Sequence, residues 1–285
     1  MDLIFYASLI TLGGLGLLFG AGLAFASKKF AVDIDPKVEQ IIETLPGANC
    51  GACGYPGCSA YAEAVVAGNA PPNKCIPGGE DVTQNIASIL GITGVESAEA
   101  KVAAIRCQGG KEEAVEKFIY SGIEDCHAAL LINGGHKACR YGCLGLGSCA
   151  KACPFDAIEM NKNGLPVVIE DKCTGCGVCV QTCPRNIIEL IPISQNVYLG
   201  CVSKDRTKAV KSVCKVGCFA CQLCTKPKVA PSGSIEMEGN LPVIRDIHNE
   251  EELFAAYDKC PAHSYVIRGE RPVQKEEQKV ETEKQ

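Results

Sequence analysis

Residues 139–184 read CRYGCLGLGSCAKACPFDAIEMNKNGLPVVIEDKCTGCGVCVQTCP, and the cysteine spacing here decides what the rest of the chain is built around. The second half, Cys173-x2-Cys176-x2-Cys179-x3-Cys183-Pro184, is the bacterial iron–sulfur run. In that run three thiolates of one loop hold one [4Fe-4S] cube and the fourth reaches across to another. The loop Thr174-Gly175-Cys176-Gly177 is short and glycine-containing, so its amides can point at the sulfurs. Proline after the last cysteine ends the loop. Zinc is the competing occupant of C-x2-C pairs, but it needs only four ligands and does not call for a third cysteine at the same spacing followed by C-P. The first half, Cys139-x3-Cys143-x5-Cys149-x3-Cys153-Pro154, departs from the run: with Cys143 and Cys149 in the outer positions, Leu146 stands in the middle. Cys139 is the expected replacement. One set is therefore expected from Cys139, Cys143, Cys149 and Cys183, and a second from Cys153, Cys173, Cys176 and Cys179.

Downstream, the pattern repeats. Cys139-x3-Cys143-x5-Cys149 returns as Cys214-x3-Cys218-x5-Cys224, with Cys221 now in the middle position. AIEMNKNGLPVVI (157–169) returns as SIEMEGNLPVI (234–244), each a hairpin signal with Asn and Gly between short apolar strands. Cys183-Pro184 returns as Cys260-Pro261 ahead of a strand-like run. The second copy is degraded, because Lys228 stands where Cys153 would and IHNEEELFAAY replaces the loop of Cys173 to Cys179. One set remains there, Cys218, Cys221, Cys224 and Cys260.

Upstream, Cys50-x2-Cys53-x4-Cys58 lies on one glycine-rich loop, and Cys75 follows after Pro71-Pro72. This is a local supply of four thiolates, expected to hold a further [4Fe-4S] cube. Four sets of four take sixteen of the 20 cysteines. Cys107, Cys126, Cys201 and Cys214 are left over, as extra ligands or as small buried hydrophobes. Residues 81–120 read as helices over Thr83–Leu90, 96–105 and Glu112–Tyr120.

Residues 4–26 carry no charge and are long enough to cross a bilayer as a helix. The short head Met1-Asp2-Leu3 has no positive side chain, which argues against a cleaved signal peptide. Lys28 and Lys29 then place the C-terminal side in the cytoplasm, a reducing compartment that suits unpaired thiols. The net charge of −5 is small for this length and says little about partners; no nucleic-acid face is indicated. Lys204, Arg206, Lys208, Lys211, Lys215, Lys226 and Lys228 surround a single acid, Asp205, and form a candidate docking patch for an acidic electron carrier. No nucleotide loop and no nucleophile–base constellation is present, and His127, His136, His248 and His263 are scattered. Electron conduction is therefore expected, with no site of its own for bond chemistry and no flavin on this chain.

The fold class expected is α+β: a single N-terminal transmembrane helix (1–30), a small mainly helical Fe-S domain (31–80) and a helical connector (81–132). A ferredoxin-like two-cluster domain (133–195), a degenerate ferredoxin-like domain (196–267) and a disordered charged tail (268–285) follow. This order, with NCGACGYPGCSAYAEA (49–64), GGHKACRYGCLGLGSCAKACPFDAI (134–158) and the Lys-rich segment ending in VCKVGCFACQLC, resembles the B subunits of the Rnf electron-transport complex. The resemblance implies a membrane complex that oxidises reduced ferredoxin, reduces NAD+ and exports Na+ or H+. It also implies that this subunit accepts the electrons and passes them through about four [4Fe-4S] clusters to flavin-bearing partner subunits. The last unit departs from the fuller family pattern, which leaves the cluster number open between three and five. A polyferredoxin-type subunit of another membrane oxidoreductase and a zinc-binding structural protein are the alternatives.

Overall fold

The computed structural model describes residues 2–30, 35–95 and 99–269. Helix α1 (Asp2–Lys29) contains one span, Tyr6–Lys29, long and apolar enough to cross a membrane. Most of its described large apolar side chains are exposed; Leu12, for example, is 81% exposed. The linker residues 31–34 and the charged tail from 270 onward lie outside the described residues, as do residues 96–98.

A small helical unit follows. Asp35 caps α2 (Pro36–Thr44) by accepting from the Lys37 amide at 2.8 Å, and Pro36 supplies a preset first turn. Helices α3 (Cys58–Val66) and α4 (Gly79–Leu90) pack on it. Ile41, Tyr61, Ala62 and Ile86 are completely or almost completely buried at their meeting point. Gly91, left-handed at φ 71°, ends α4.

The remaining chain forms two units of one plan. In the core unit, β1 (Lys101–Ile105) pairs antiparallel with β4 (Ile188–Pro192), Ala103 opposite Leu190. Between them come α5 (Cys126–Leu131), α6 (Ser148–Lys151), the hairpin β2 (Ile158–Met160) and β3 (Pro166–Val168), and α7 (Val178–Thr182). In the C-terminal unit β5 (Val197–Leu199) pairs with β8 (Tyr265–Ile267). Between these lie α8 (Thr207–Lys211), the hairpin β6 (Ile235–Glu238) and β7 (Leu241–Ile244), and α9 (Glu250–Lys259). Each unit thus closes with its first strand against its last. Helix α9 stands where the core has its second cysteine loop; Asn249 caps it, and Leu253, Phe254 and Ala256 fill the C-terminal core.

Two expectations fail here. The segment read as a helix over 96–105 is a strand in its described part, because Val102 to Ile105 are all buried and their apolar run completes the sheet with β4. A short apolar run carries no decisive period, and tertiary pairing decides it. Residues 112–120 form no helix either; they make two isolated bridges, Ala114 with Cys214 and Glu116 with Lys137. Residues 101–105, expected in a helical connector, thus join the core sheet.

Arg268 clasps the two units. Its guanidinium is bidentate on Glu170, 2.8 Å to each oxygen, and Nη1 donates to the carbonyls of Pro192, Ile193 and Gln195.

Candidate iron–sulfur centres

The N-terminal loop shows how backbone geometry presents thiols. Asn49, at φ 47°, turns its side chain inward so that Oδ1 accepts the Cys58 amide at 2.8 Å. The Tyr61 hydroxyl donates to the Pro71 carbonyl at 2.9 Å and accepts from the Lys74 amide, which ties down the return segment carrying Cys75. Cys50, Cys53 and Cys58 are the neighbouring thiols of Cys75, and burial pushes the Cys75 thiol up to about 11. Burial also pushes Tyr61 up to about 12.

In the core unit Cys173, Cys176 and Cys153 surround Cys179, which burial pushes up to about 12. Gly175 is required in this loop: at φ +68° a methyl there would lie 2.4 Å from the Lys101 carbonyl oxygen. Beside this set Cys126, Cys143, Cys149 and Cys183 line one cavity. Cys126 is fixed from two sides. Asp125 caps α5 through the Ala128 amide and accepts from Ser148 Oγ, while Ser148 Oγ accepts the Cys126 amide at 2.7 Å. These bonds hold the Asp125 carboxyl below its ordinary range. Leu146 packs against Cys126.

The fourth thiol of this cavity is therefore Cys126, where the spacing alone pointed to Cys139. The Gly142 amide returns to the Cys139 carbonyl at 3.2 Å, and the turn puts Cys139 in a different cavity with Cys107, Cys201 and Cys214. In the C-terminal unit Cys218, Cys221, Cys224 and Cys260 are mutual neighbours, and burial pushes Cys218 up to about 12. Cys126 is one of the four cysteines that the spacing left without a set.

The surroundings suit a sulfide-rich occupant. Among the described residues no three His, Cys, Asp or Glu side chains converge tightly enough for a single metal ion; the thiols stand in looser fours. Thr174 Oγ1 and Tyr265 Oη are buried without a partner. Thr174 lies against Cys176, and Tyr265 is pushed up by burial and by Cys224, Cys218 and Cys260 around it. A buried hydroxyl without an acceptor is costly unless sulfur or an inorganic sulfide takes its proton. Arg185 Nε is likewise buried and unpartnered, with the thiols of Cys139, Cys183, Cys107 and Cys143 as its neighbours.

All seven basic residues of the segment 204–228 are exposed. Asp205 is bound to Arg140 at 2.6 Å and so does not neutralise them. Arg206 reaches Asn240, Lys215 reaches the Glu112 carbonyl, and Lys211 sits over the Phe219 ring. Of the histidines, His127 contacts the Thr182 carbonyl, and burial pushes buried His136 down.

These features define a multi-cluster iron–sulfur protein with one candidate membrane helix. Residues 45–77 match the family described as "Putative Fe-S cluster", and residues 139–190 that described as "4Fe-4S dicluster domain". The B subunit of the proton-translocating ferredoxin:NAD(+) oxidoreductase complex of Clostridium ljungdahlii is 45% identical over 83% of this chain and 82% of its own. The B subunit of the ion-translocating oxidoreductase complex of Methanosarcina acetivorans is 42% identical over 92% of this chain and 96% of its own. The B subunit of the Na(+)-translocating ferredoxin:NAD(+) oxidoreductase complex of Acetobacterium woodii is 43% identical over 88% and 74%. The chain belongs to this family, the B subunits of the Rnf complexes, and is an electron-transfer subunit of that kind of membrane assembly.

Proposed function

We propose that this subunit accepts electrons from a reduced ferredoxin and delivers them to flavin-bearing partner subunits that reduce NAD+ and export an ion. Four thiol sets would hold [4Fe-4S] clusters: Cys50, Cys53, Cys58 and Cys75; Cys153, Cys173, Cys176 and Cys179; Cys126, Cys143, Cys149 and Cys183; and Cys218, Cys221, Cys224 and Cys260. When bound, the clusters supply one-electron transfer without bond making, at potentials set by hydrogen bonds, charge and solvent exposure. The chain's own part is to hold the thiols, to aim amides and hydroxyls at them, and to keep water away by burial.

The observation that carries this reading is the succession of the sets. Cys50 of the helical unit is a neighbour of Cys176, and Cys149 is a neighbour of Cys179. The helical unit, the second cysteine loop and the Cys126 cavity therefore follow one another in space. Helix α1 anchors the wire to the membrane, and Lys28 and Lys29 at its end favour a cytoplasmic soluble part. Its only charges are Asp2, Lys28 and Lys29, which gives it no ion ligand in the apolar span. Relatives named for protons and for sodium match this chain alike, in keeping with an anchor that does not choose the ion.

The exposed basic segment beside the C-terminal set is the docking face for the acidic donor. The test is stopped-flow reduction of the anaerobically purified holo-protein by reduced ferredoxin. Reversing Lys204, Lys208 and Lys211 to Glu should slow the second-order rate about tenfold or more at low salt and flatten its ionic-strength dependence. A rate that ignores both salt and charge reversal rules out this docking face.

A further inference from the structure

Four cysteines outside those sets share one cavity: Cys107, Cys139, Cys201 and Cys214. They come from both units of the repeat, and they come in matched pairs. Cys107 stands two residues after β1 and Cys201 two residues after β5. Cys139 and Cys214 each open the C-x3-C-x5-C run of their unit.

The surroundings are matched as well. The Cys143 amide donates to Cys107 Sγ at 3.3 Å, and the amide of Cys218, its counterpart, donates to Cys201. The amide two residues on does the same in each unit, Gly109 to Cys107 and Ser203 to Cys201. A methyl on Gly142 would lie 3.6 Å from Cys139 Sγ, and one on Gly217 would lie 3.6 Å from Cys214 Sγ. The cavity is thus a pseudo-twofold site on the seam, with equal contributions from the two copies.

Its dimensions select the ligand class. A methyl on Gly109 would lie 3.2 Å from Cys214 Sγ and 3.9 Å from Cys107 Sγ, which bounds the separation of those sulfurs at 7.1 Å while a side chain there would intrude between them. Zinc–thiolate bonds of about 2.3 Å hold sulfurs within roughly 4.6 Å of one another, and no such grouping exists among the described residues. Four thiolates in looser array around a cavity suit a cube. Lys137, 3% exposed, and Arg106 line the same cavity, each also paired with an acid, Glu116 and Glu189. Disulfides would need the thiols paired and in contact, whereas all 20 cysteines are free.

We propose that Cys107, Cys139, Cys201 and Cys214 hold a fifth [4Fe-4S] cluster, the link between the core and the C-terminal unit. Cys107 is a neighbouring thiol of Cys143 in the core cavity, and Cys201 of Cys218 in the C-terminal set. The fifth site fills the gap between them and makes the row of sets continuous from Cys50 to Cys260. This inference rests on the cluster reading of the other sixteen cysteines, and the experiment separates the two.

Iron, acid-labile sulfide and zinc are counted in the anaerobically purified full chain, and the clusters are quantified by Mössbauer spectroscopy. About 20 irons and 20 sulfides per chain without zinc is the expected result. About 16 irons, with or without one zinc, overturns the fifth site alone; iron near zero overturns the cluster reading altogether. The double variant Cys107→Ser/Cys201→Ser should lose about 4 irons, and the further change Cys139→Ser should lose no more, since all three would serve one cube. An extra loss of about 4 irons on adding Cys139→Ser puts Cys139 in another site. Should these variants fail to fold, the iron count of the unaltered chain still decides.

Discussion

Arg268→Ala removes the clasp between the two repeat units, and its cost follows from the contacts. The Arg268 side chain is only 9% exposed, whereas Glu170 is 44% exposed. A bidentate charge-assisted pair contributes about 1.5–3 kcal/mol when shielded, which half-exposure of the acid reduces to about 1 kcal/mol. The Nη1 bonds to three carbonyls act as one shared donor and add about 1–2 kcal/mol, because those oxygens lose their partner. The sum, about 2–3 kcal/mol, corresponds to a roughly 30–150-fold rise in local opening at the seam. Hydrogen exchange with mass spectrometry on the holo-protein reads this directly. Peptides covering β5 and β8 should exchange faster by that factor, while those of the hairpin β2–β3 should not change. Unaltered exchange in β5 and β8, or equal acceleration in both places, refutes the account of the clasp. The pH dependence has a fixed sign. The Arg268 hydrogen bond holds the Glu170 carboxyl below its ordinary 4.5, so the contribution is present above that value and is lost as pH falls through the lowered one.

Three other outcomes follow from the sites. Cys126→Ser should abolish one cluster signal in electron paramagnetic resonance of the reduced protein, and adding Leu146→Cys, which restores the regular C-x2-C-x2-C spacing beside the same cavity, should bring it back; no effect of Cys126→Ser would return the site to Cys139. Tyr265→Phe removes the hydroxyl facing Cys224 and should lower the potential of the C-terminal cluster by about 20–60 mV, the one-electron equivalent of roughly 0.5–1.5 kcal/mol; an unchanged potential in a redox titration means the hydroxyl does not donate to sulfur. Cys75→Ser should remove the cluster of the helical unit and leave the hairpin β6–β7 unaltered in hydrogen exchange, because that unit has its own core; loss of protection throughout would show that it does not fold apart.

Much of this protein is legible from spacing because iron–sulfur ligation is local. Three thiolates on one glycine-bearing loop are fixed by a few backbone angles, so Cys50, Cys53 and Cys58, or Cys173, Cys176 and Cys179, can be read as sets from the sequence. The apolar run before Lys28 and the two hairpins are equally local, and the structure carries a helix and two hairpins at those places. The fourth member of a set is different, since it arrives from a distant part of the chain and depends on how units pack. Spacing chose Cys139 for the core cavity because it is near in sequence; the turn at Gly142 and the cap at Asp125 supply Cys126 there. The same packing gathers Cys107, Cys139, Cys201 and Cys214, no two of them neighbours in sequence, on the seam between two copies of one unit. Residue order thus determined the anchor, the repeat and the local thiol triads, whereas the strand pairings β1–β4 and β5–β8 decided which far cysteines complete a site, since only folding brings such residues within reach of one cluster.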